Sequence, residues 1–139
     1  MKIQKVYLKI KDKVKEIERR ISYEDIQCNS ISNCLEFVKN NVKDTCLTKA
    51  IILYNLLKKL SYDSCYIVIL KPHYRKDIYL HAIVIIKQKR NILALDPMVN
   101  ASNNFPYNSI ESYNNLDEIN EKIGDIICIF NDEEAYIKQ

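Results

Sequence analysis

The spacing of apolar positions changes about halfway along the chain. Up to Leu60, apolar residues recur every three or four positions, which is typical of amphipathic helices. A second helix is predicted at 31–42 with Ser30 as its N-cap, and a third begins at Cys46, capped by Asp44 or Thr45. This third helix is apolar on several sides, so we expect it to be central and buried. The first stripe has lysines on its other face and consists of Ile3, Val6, Tyr7, Ile10, Val14 and Ile17.

Beyond Leu60 the pattern is that of strands. Segments 65–70, 79–87 and 91–96 are rich in β-branched and aromatic residues, and they end at 71–73, at the polar turn 87–90 and at Pro97. Residues 100–109 form a predicted polar loop. A short helix follows at 116–123, capped by Asn115 and stopped by Gly124 at C′, and 125–130 is a last strand. Helices followed by a mostly antiparallel sheet predict an α+β fold, in one domain of residues 1–139.

Composition and charge exclude some classes of function. With 47% apolar and 28% charged residues, the chain has the balance of a globular protein and not of a disordered one. The net charge of +3 is too small to argue for a nucleic-acid partner. Residues 1–20 carry eight basic and three acidic side chains, whereas residues 111–139 carry two basic and eight acidic ones. We interpret these segments as two solvated faces that attract each other, in preference to a basic helix that binds nucleic acid or an acidic partner.

The N-terminus and the cysteines bear on location and on metal binding. The chain is charged from Lys2 and shows no signal-peptide core, and its apolar runs are strand-length, so we expect a cytoplasmic protein with no membrane partner. Five cysteines are an odd number, so at least one has no partner within the chain; we expect most of them to be free thiols. No C-x-x-C spacing occurs, and we expect neither a metal nor another cofactor. Oligomeric state stays open.

Cys46 is the first candidate for chemistry. It lies in the first turn of the predicted third helix, where backbone amides have no intrahelical partner and the helix dipole favours a thiolate. The same amides can hold the oxyanion that forms when a thiolate attacks a carbonyl. The alternative is that Cys46 is a small buried apolar residue, which is the commoner role of a cysteine.

The two histidines are predicted to differ. His73 lies in a charged, proline-containing turn and should be exposed. His81 interrupts an apolar strand, so it needs a buried hydrogen-bonding partner. A hairpin closed symmetrically about Gln88-Lys89, with a four-residue loop, supplies Asp96 as that partner. The same register predicts that the flanking pairs pack against the central helix: Ile83 with Ala94, and Ile85 with Ile92. Catalytic and purely structural roles for the His81–Asp96 pair remain open at this point.

Three segments resemble the core motifs of transglutaminase-like proteins. Residues 45–60, TCLTKAIILYNLLKKL, resemble that family's nucleophile helix, which a strand such as 65–70 follows. Residues 81–84, HAIV, resemble its histidine strand, and 95–97, LDP, resemble its closing Leu-Asp-Pro. The resemblance implies a papain-like core over residues 43–98, with helices at 1–42 before it and a loop, helix and strand at 99–139 after it. It also implies a catalytic triad of Cys46, His81 and Asp96.

The resemblance further implies attack on an amide carbonyl of a peptide or protein. We expect a peptidase, a deamidase or an acyltransferase, with hydrolysis favoured because so small a chain offers little to exclude water. Three positions depart from the family: Asp44-Thr45 lacks the glycine before the cysteine, Ser61-Tyr62 replaces a glycine turn, and Ile83 replaces an aromatic. A second oxyanion donor is not assigned; the candidates are Asn40, Asn41 and Tyr23. The alternative function is a binding or scaffold module that keeps the fold without turnover.

Overall fold

The elements observed confirm the α+β class. The structure is a computed structural model that describes residues 3–75, 79–99 and 105–137. This part of the chain forms four α-helices and six strands. The helices are α1 (Ile3–Arg20), α2 (Ile31–Asn41), α3 (Cys46–Lys59) and α4 (Leu116–Lys122). The strands are β1 (Cys65–Pro72), β2 (His81–Lys87), β3 (Ile92–Leu95), β4 (Ile110–Tyr113), β5 (Gly124–Phe130) and β6 (Ala135–Ile137).

Side-chain caps fix where three of the helices begin. At α2 the Ser30 hydroxyl accepts a hydrogen bond from the Asn33 amide at 3.1 Å, as its position predicts. The Asn115 side chain caps α4 in the same way at 2.9 Å. At α3 the cap is Thr45, one of the two predicted candidates. The N-terminal stripe does form a helix, and of its described side chains Ile10 and Ile17 are buried; the side chains of residues 3–7 lie outside the described part.

All strands pair antiparallel in one sheet of order β4-β3-β2-β1-β5-β6. One face carries α1, α2 and α3, with α3 against alternate residues of the two central strands, such as Ile67 of β1 and Val84 of β2. The opposite face packs residues such as Ile85 and Ala94 against Ile119 of α4. Because both faces are covered, the central strands are apolar at nearly every position. The helix α3 is the buried central helix that its pattern predicts.

The predicted β2–β3 register is wrong by two residues. The loop has the predicted four residues but spans 88–91, closed by the Gln88 amide on the Asn91 carbonyl at 2.9 Å. Ile85 therefore pairs with Ala94 instead of Ile92. The predicted packing of Ile83, Ile85, Ile92 and Ala94 on the central helix is also wrong, since these residues face α4. A strand that is buried on both sides carries no alternation to show which face meets α3.

The C-terminal third departs most from prediction. The strands β4 and β6 were not predicted; both are short edge strands with few buried residues. Gly124 is not a left-handed helix stop, because it has no positive φ. It opens β5 opposite Pro72, and a Cβ there would lie 2.3 Å from the Lys71 carbonyl oxygen. This close approach explains the glycine, and β1 continues through Pro72 past its predicted end. The predicted loop at 100–109 falls partly on 100–104, outside the described residues.

The oppositely charged segments of the chain lie close together. The basic helix α1 and the acidic β5–β6 turn line one groove of about 340 Å³, with Lys11 and Lys15 on one wall and Asp132, Glu133 and Glu134 on the other. Glu18 of α1 also lines this groove, and Asp132 forms its ion pair with Lys58 of α3, so the attraction between the two charged segments stays a prediction. No described helix has the length and apolarity needed to cross a membrane. All five cysteines are free thiols.

Candidate active site

The fold brings the three predicted site residues to one end of the sheet. Cys46 is the first residue of α3, His81 is the first residue of β2, and Asp96 follows directly after β3. Because β2 and β3 run antiparallel, the start of one lies beside the end of the other. Side chains from a helix and two neighbouring strands therefore meet where all three elements are held by the core.

Cys46 occupies a helix start with two spare backbone donors. An α-helix leaves its first amides without intrahelical partners. Two of them are satisfied by side chains, since the Thr45 amide donates to Asp44 Oδ1 at 2.7 Å and the Thr48 amide to Thr45 Oγ1 at 3.3 Å. The amides of Cys46 and Leu47 remain as first-turn donors with no intrahelical partner. They can donate to the oxyanion that forms on a carbonyl oxygen when the Cys46 sulfur attacks the carbonyl carbon.

His81 and Asp96 form a tight buried pair. His81 Nε2 lies 2.5 Å from Asp96 Oδ2, and the side chains are only 9% and 3% exposed. The predicted contact is confirmed, but the register that predicted it is not. Continuing the observed ladder places His81 opposite Met98, so Asp96 is its diagonal neighbour, within reach of a long side chain. Asp96 takes Nε2, which leaves Nδ1 as the ring nitrogen for the Cys46 side, and the pKa of each of these two groups is shifted by its interaction with the other.

The electrostatic interactions between Cys46 and His81 favour a charged thiolate and a charged imidazolium. Burial opposes ionisation of Cys46, but the hydrogen bond and charge of His81, with the Ala82 amide, outweigh it and lower the pKa of Cys46 below its ordinary value. Burial likewise lowers the pKa of His81, but the hydrogen bonds with Asp96 and Cys46 prevail and raise that pKa to about 9. Both shifts favour a thiolate that faces an imidazolium.

Other cysteines show the opposite behaviour. Burial raises the pKa of Cys65 to about 12 and that of Cys128 to about 11. At Cys34, burial and a hydrogen bond with Cys28 raise the pKa to about 12. Burial by itself thus makes a thiol inert. Cys46 differs because it has an imidazole partner and a helix start.

The pair is surrounded by aromatic residues that were not predicted to belong to the site. The Tyr107 hydroxyl donates to Asp96 Oδ2 at 2.6 Å, and the Phe105 ring centroid lies 5.8 Å from that of His81. Tyr74, from the segment after β1, packs against Phe105 and Tyr107, with ring centroids 5.2 and 5.9 Å away. Residues 105–109 were assigned to a polar loop. The available signal was two aromatic side chains inside a polar segment just after Asp96-Pro97.

The three proposed oxyanion donors do not converge on Cys46. Tyr23 Oη accepts from Asn55 Nδ2 at 3.3 Å, and Asn55 lies nine residues beyond Cys46 on α3, about 13 Å along the helix axis. The Asn41 side-chain amide donates to the Phe37 carbonyl at 3.0 Å within α2, and Asn40 is exposed. The first-turn amides are thus the oxyanion donors that the site itself supplies.

The chemistry available is that of an activated thiol. In the described part of the chain, no group of three or more His, Cys, Asp or Glu side chains is arranged to hold a metal ion. A thiolate, an imidazolium and a pair of free amides are together suited to covalent attack on a carbonyl. Comparison with family models, with curated proteins and with solved structures gave no match.

Proposed function

We propose that the protein is a cysteine-dependent enzyme that attacks amide carbonyls of peptides or proteins, built on a papain-like core of the transglutaminase-like kind. The observation that carries this proposal is the position of His81. It bridges a cysteine at a helix start and a buried carboxylate 2.5 Å away. A pair that served only to satisfy a buried histidine would need Asp96 and no thiol.

In the proposed reaction each residue has one role. The Cys46 thiolate forms a bond to the carbonyl carbon, and the amides of Cys46 and Leu47 hold the resulting oxyanion. As the C–N bond breaks, the His81 imidazolium gives its Nδ1 proton to the leaving nitrogen. The neutral imidazole then takes a proton from water or an amine, which attacks the thioester carbonyl. The C–S bond breaks, Cys46 leaves as the thiolate, and His81 is again an imidazolium. Asp96 keeps the ring oriented throughout. Hydrolysis is the favoured second step.

The nucleophile is tested by timed labelling with iodoacetamide from pH 5 to 10, followed by peptide mapping. We expect Cys46 to react first at pH 7, because its pKa is lowered below the ordinary thiol value while those of Cys34, Cys65 and Cys128 are raised. His81→Ala should slow this labelling about 30- to 100-fold, since it removes the cation that stabilises the thiolate. The matched control is His73→Ala, which should leave the rate within about twofold.

The labelling result also separates the two functions. Equal labelling of all five cysteines, or labelling of Cys46 only at alkaline pH, contradicts the enzyme and favours a binding or scaffold module. A positive result leads to a screen of peptide, glutamine and glycopeptide amides, with and without an added amine. Turnover should rise as Cys46 ionises and fall as the pH passes through about 9, where His81 loses the proton that the leaving group needs.

A further inference from the structure

The Asp96 carboxylate receives two hydrogen bonds beyond the one from His81 that a Cys-His-Asp arrangement requires. Oδ2 accepts from His81 Nε2 at 2.5 Å and also from the Tyr107 hydroxyl at 2.6 Å. Oδ1 accepts from the Met98 amide at 2.9 Å. Asp96 is only 2% exposed, so these donors replace the water that a free carboxylate would bind.

The two oxygens of Asp96 are held by different donors. The Met98 amide, two residues along the chain, donates to Oδ1. The Tyr107 hydroxyl donates to Oδ2, the oxygen that also faces His81. The position of Tyr107 is set by the Phe105 ring at 5.5 Å and by the backbone bond from the Asp96 amide to the Ser109 carbonyl at 2.9 Å. Each carboxylate oxygen of Asp96 therefore has a hydrogen-bond donor other than His81.

Tyr107 remains a donor over the whole working range of pH. Burial and the neighbouring Asp96 charge raise the pKa of its phenol well above the usual value. The groups beside His81 are Cys46 from α3, Asp96 after β3 and the Phe105 ring, and the Tyr107 hydroxyl is connected to His81 through Asp96. Of the two tyrosines, Tyr107 is the one whose hydroxyl bonds to Asp96, while that of Tyr74 lies 3.5 Å from the Tyr107 oxygen.

We propose that Tyr107 is a positioning residue, whose hydroxyl orients the Asp96 carboxylate toward His81 and withdraws negative charge from the oxygen that the two donors share. The inference rests on the proposed function as regards catalysis, but its structural part concerns His81 and Asp96 alone. Loss of the hydroxyl leaves Oδ2 more negative and less firmly held. The imidazolium then gains stabilisation, while proton transfer from a less fixed ring becomes slower.

The test is Tyr107→Phe, which removes the hydroxyl and keeps the ring, with Tyr74→Phe as the matched control. The His81 pKa is measured by NMR titration in a Cys46→Ala background, so that no thiol titrates beside the ring. We expect Tyr107→Phe to raise the His81 pKa by about half a unit to one unit. Tyr74→Phe should leave it unchanged. With Cys46 restored, Tyr107→Phe should lower kcat about tenfold and move the alkaline limb of the pH profile upward.

The outcomes are distinct. An unchanged or lowered His81 pKa in Tyr107→Phe, or an equal rise in Tyr74→Phe, overturns the proposal, because a packing role predicts either. If Tyr107→Phe does not fold, the reciprocal measurement is the phenol titration of Asp96→Asn, in which the Tyr107 pKa must fall. Failure of the proposed function is read separately, from the absence of selective Cys46 labelling in the wild-type chain, and leaves the His81 measurement valid.

Discussion

The described part of the chain contains two His–Asp pairs whose surroundings differ in almost every respect. His81 and Asp96 are 9% and 3% exposed and 2.5 Å apart, whereas His73 and Asp125 are 44% and 56% exposed and 3.8 Å apart. His73 Nε2 instead lies 2.8 Å from the Asn120 carbonyl oxygen near the end of α4. The same two residue types thus form a fixed buried contact in one place and a loose surface one in the other.

The difference shows what turns a residue pair into a site. Water competes for the His73–Asp125 contact and screens its charges, so the pair adds little to stability. His81 is buried in the core, so its hydrogen-bond partners must compensate for the lost hydration. One of those partners is Cys46, at the start of α3. Burial and a third, nucleophilic partner separate the two pairs, not the presence of histidine and aspartate.

The largest expected difference between the two pairs appears when the aspartate of each pair is replaced by asparagine. Asp96→Asn should lower the His81 pKa by about 1–2 units, since its hydrogen bond and charge raise that pKa in the wild type. It should also reduce the free energy of unfolding by about 2–4 kcal/mol. Asp125→Asn should leave the His81 pKa unchanged and shift unfolding by less than about 1 kcal/mol. NMR titration and urea unfolding give both quantities, and equal losses in the two variants would contradict the comparison.

The sequence predicted the exposure of His73 and the His81–Asp96 contact from different kinds of information, and it did not predict the His73–Asp125 contact. Exposure of His73 follows from its charged turn, which is local information. The His81–Asp96 contact was reached through a register that is off by two residues, yet it holds because a two-residue slip preserves the face of each side chain. The helix start at Cys46 also followed from local capping. The contact of Tyr107 with Asp96 could not be predicted, because Phe105 and Tyr107 stand out as aromatic positions in a polar segment but no local pattern shows which buried group they meet.

Near the exposed pair, the packing of β5 against β1 is constrained by the backbone and not by the side chains of the pair. Gly124, next to Asp125, lets β5 approach β1 so closely that an added Cβ would lie 2.3 Å from the Lys71 carbonyl oxygen. We expect Gly124→Ala to reduce the free energy of unfolding by about 1–3 kcal/mol through strain, although His73 and Asp125 themselves tolerate replacement. Cys46 labelling at pH 7 should stay within about twofold of wild type. A stability equal to wild type would show that the strands can separate without loss.

The smallest effect concerns the helix start that the buried pair has and the exposed pair lacks. Thr45 caps α3 beside Cys46 and Ser30 caps α2 elsewhere, each through one hydroxyl. Thr45→Ala and Ser30→Ala should both reduce the free energy of unfolding by about 1 kcal/mol. Only Thr45→Ala should also slow Cys46 labelling at pH 7, by about two- to fivefold, because a frayed first turn weakens the positive end of the dipole. Equal labelling rates in the two variants would mean that His81 alone activates the thiol, and that the helix start contributes packing but no electrostatic stabilisation.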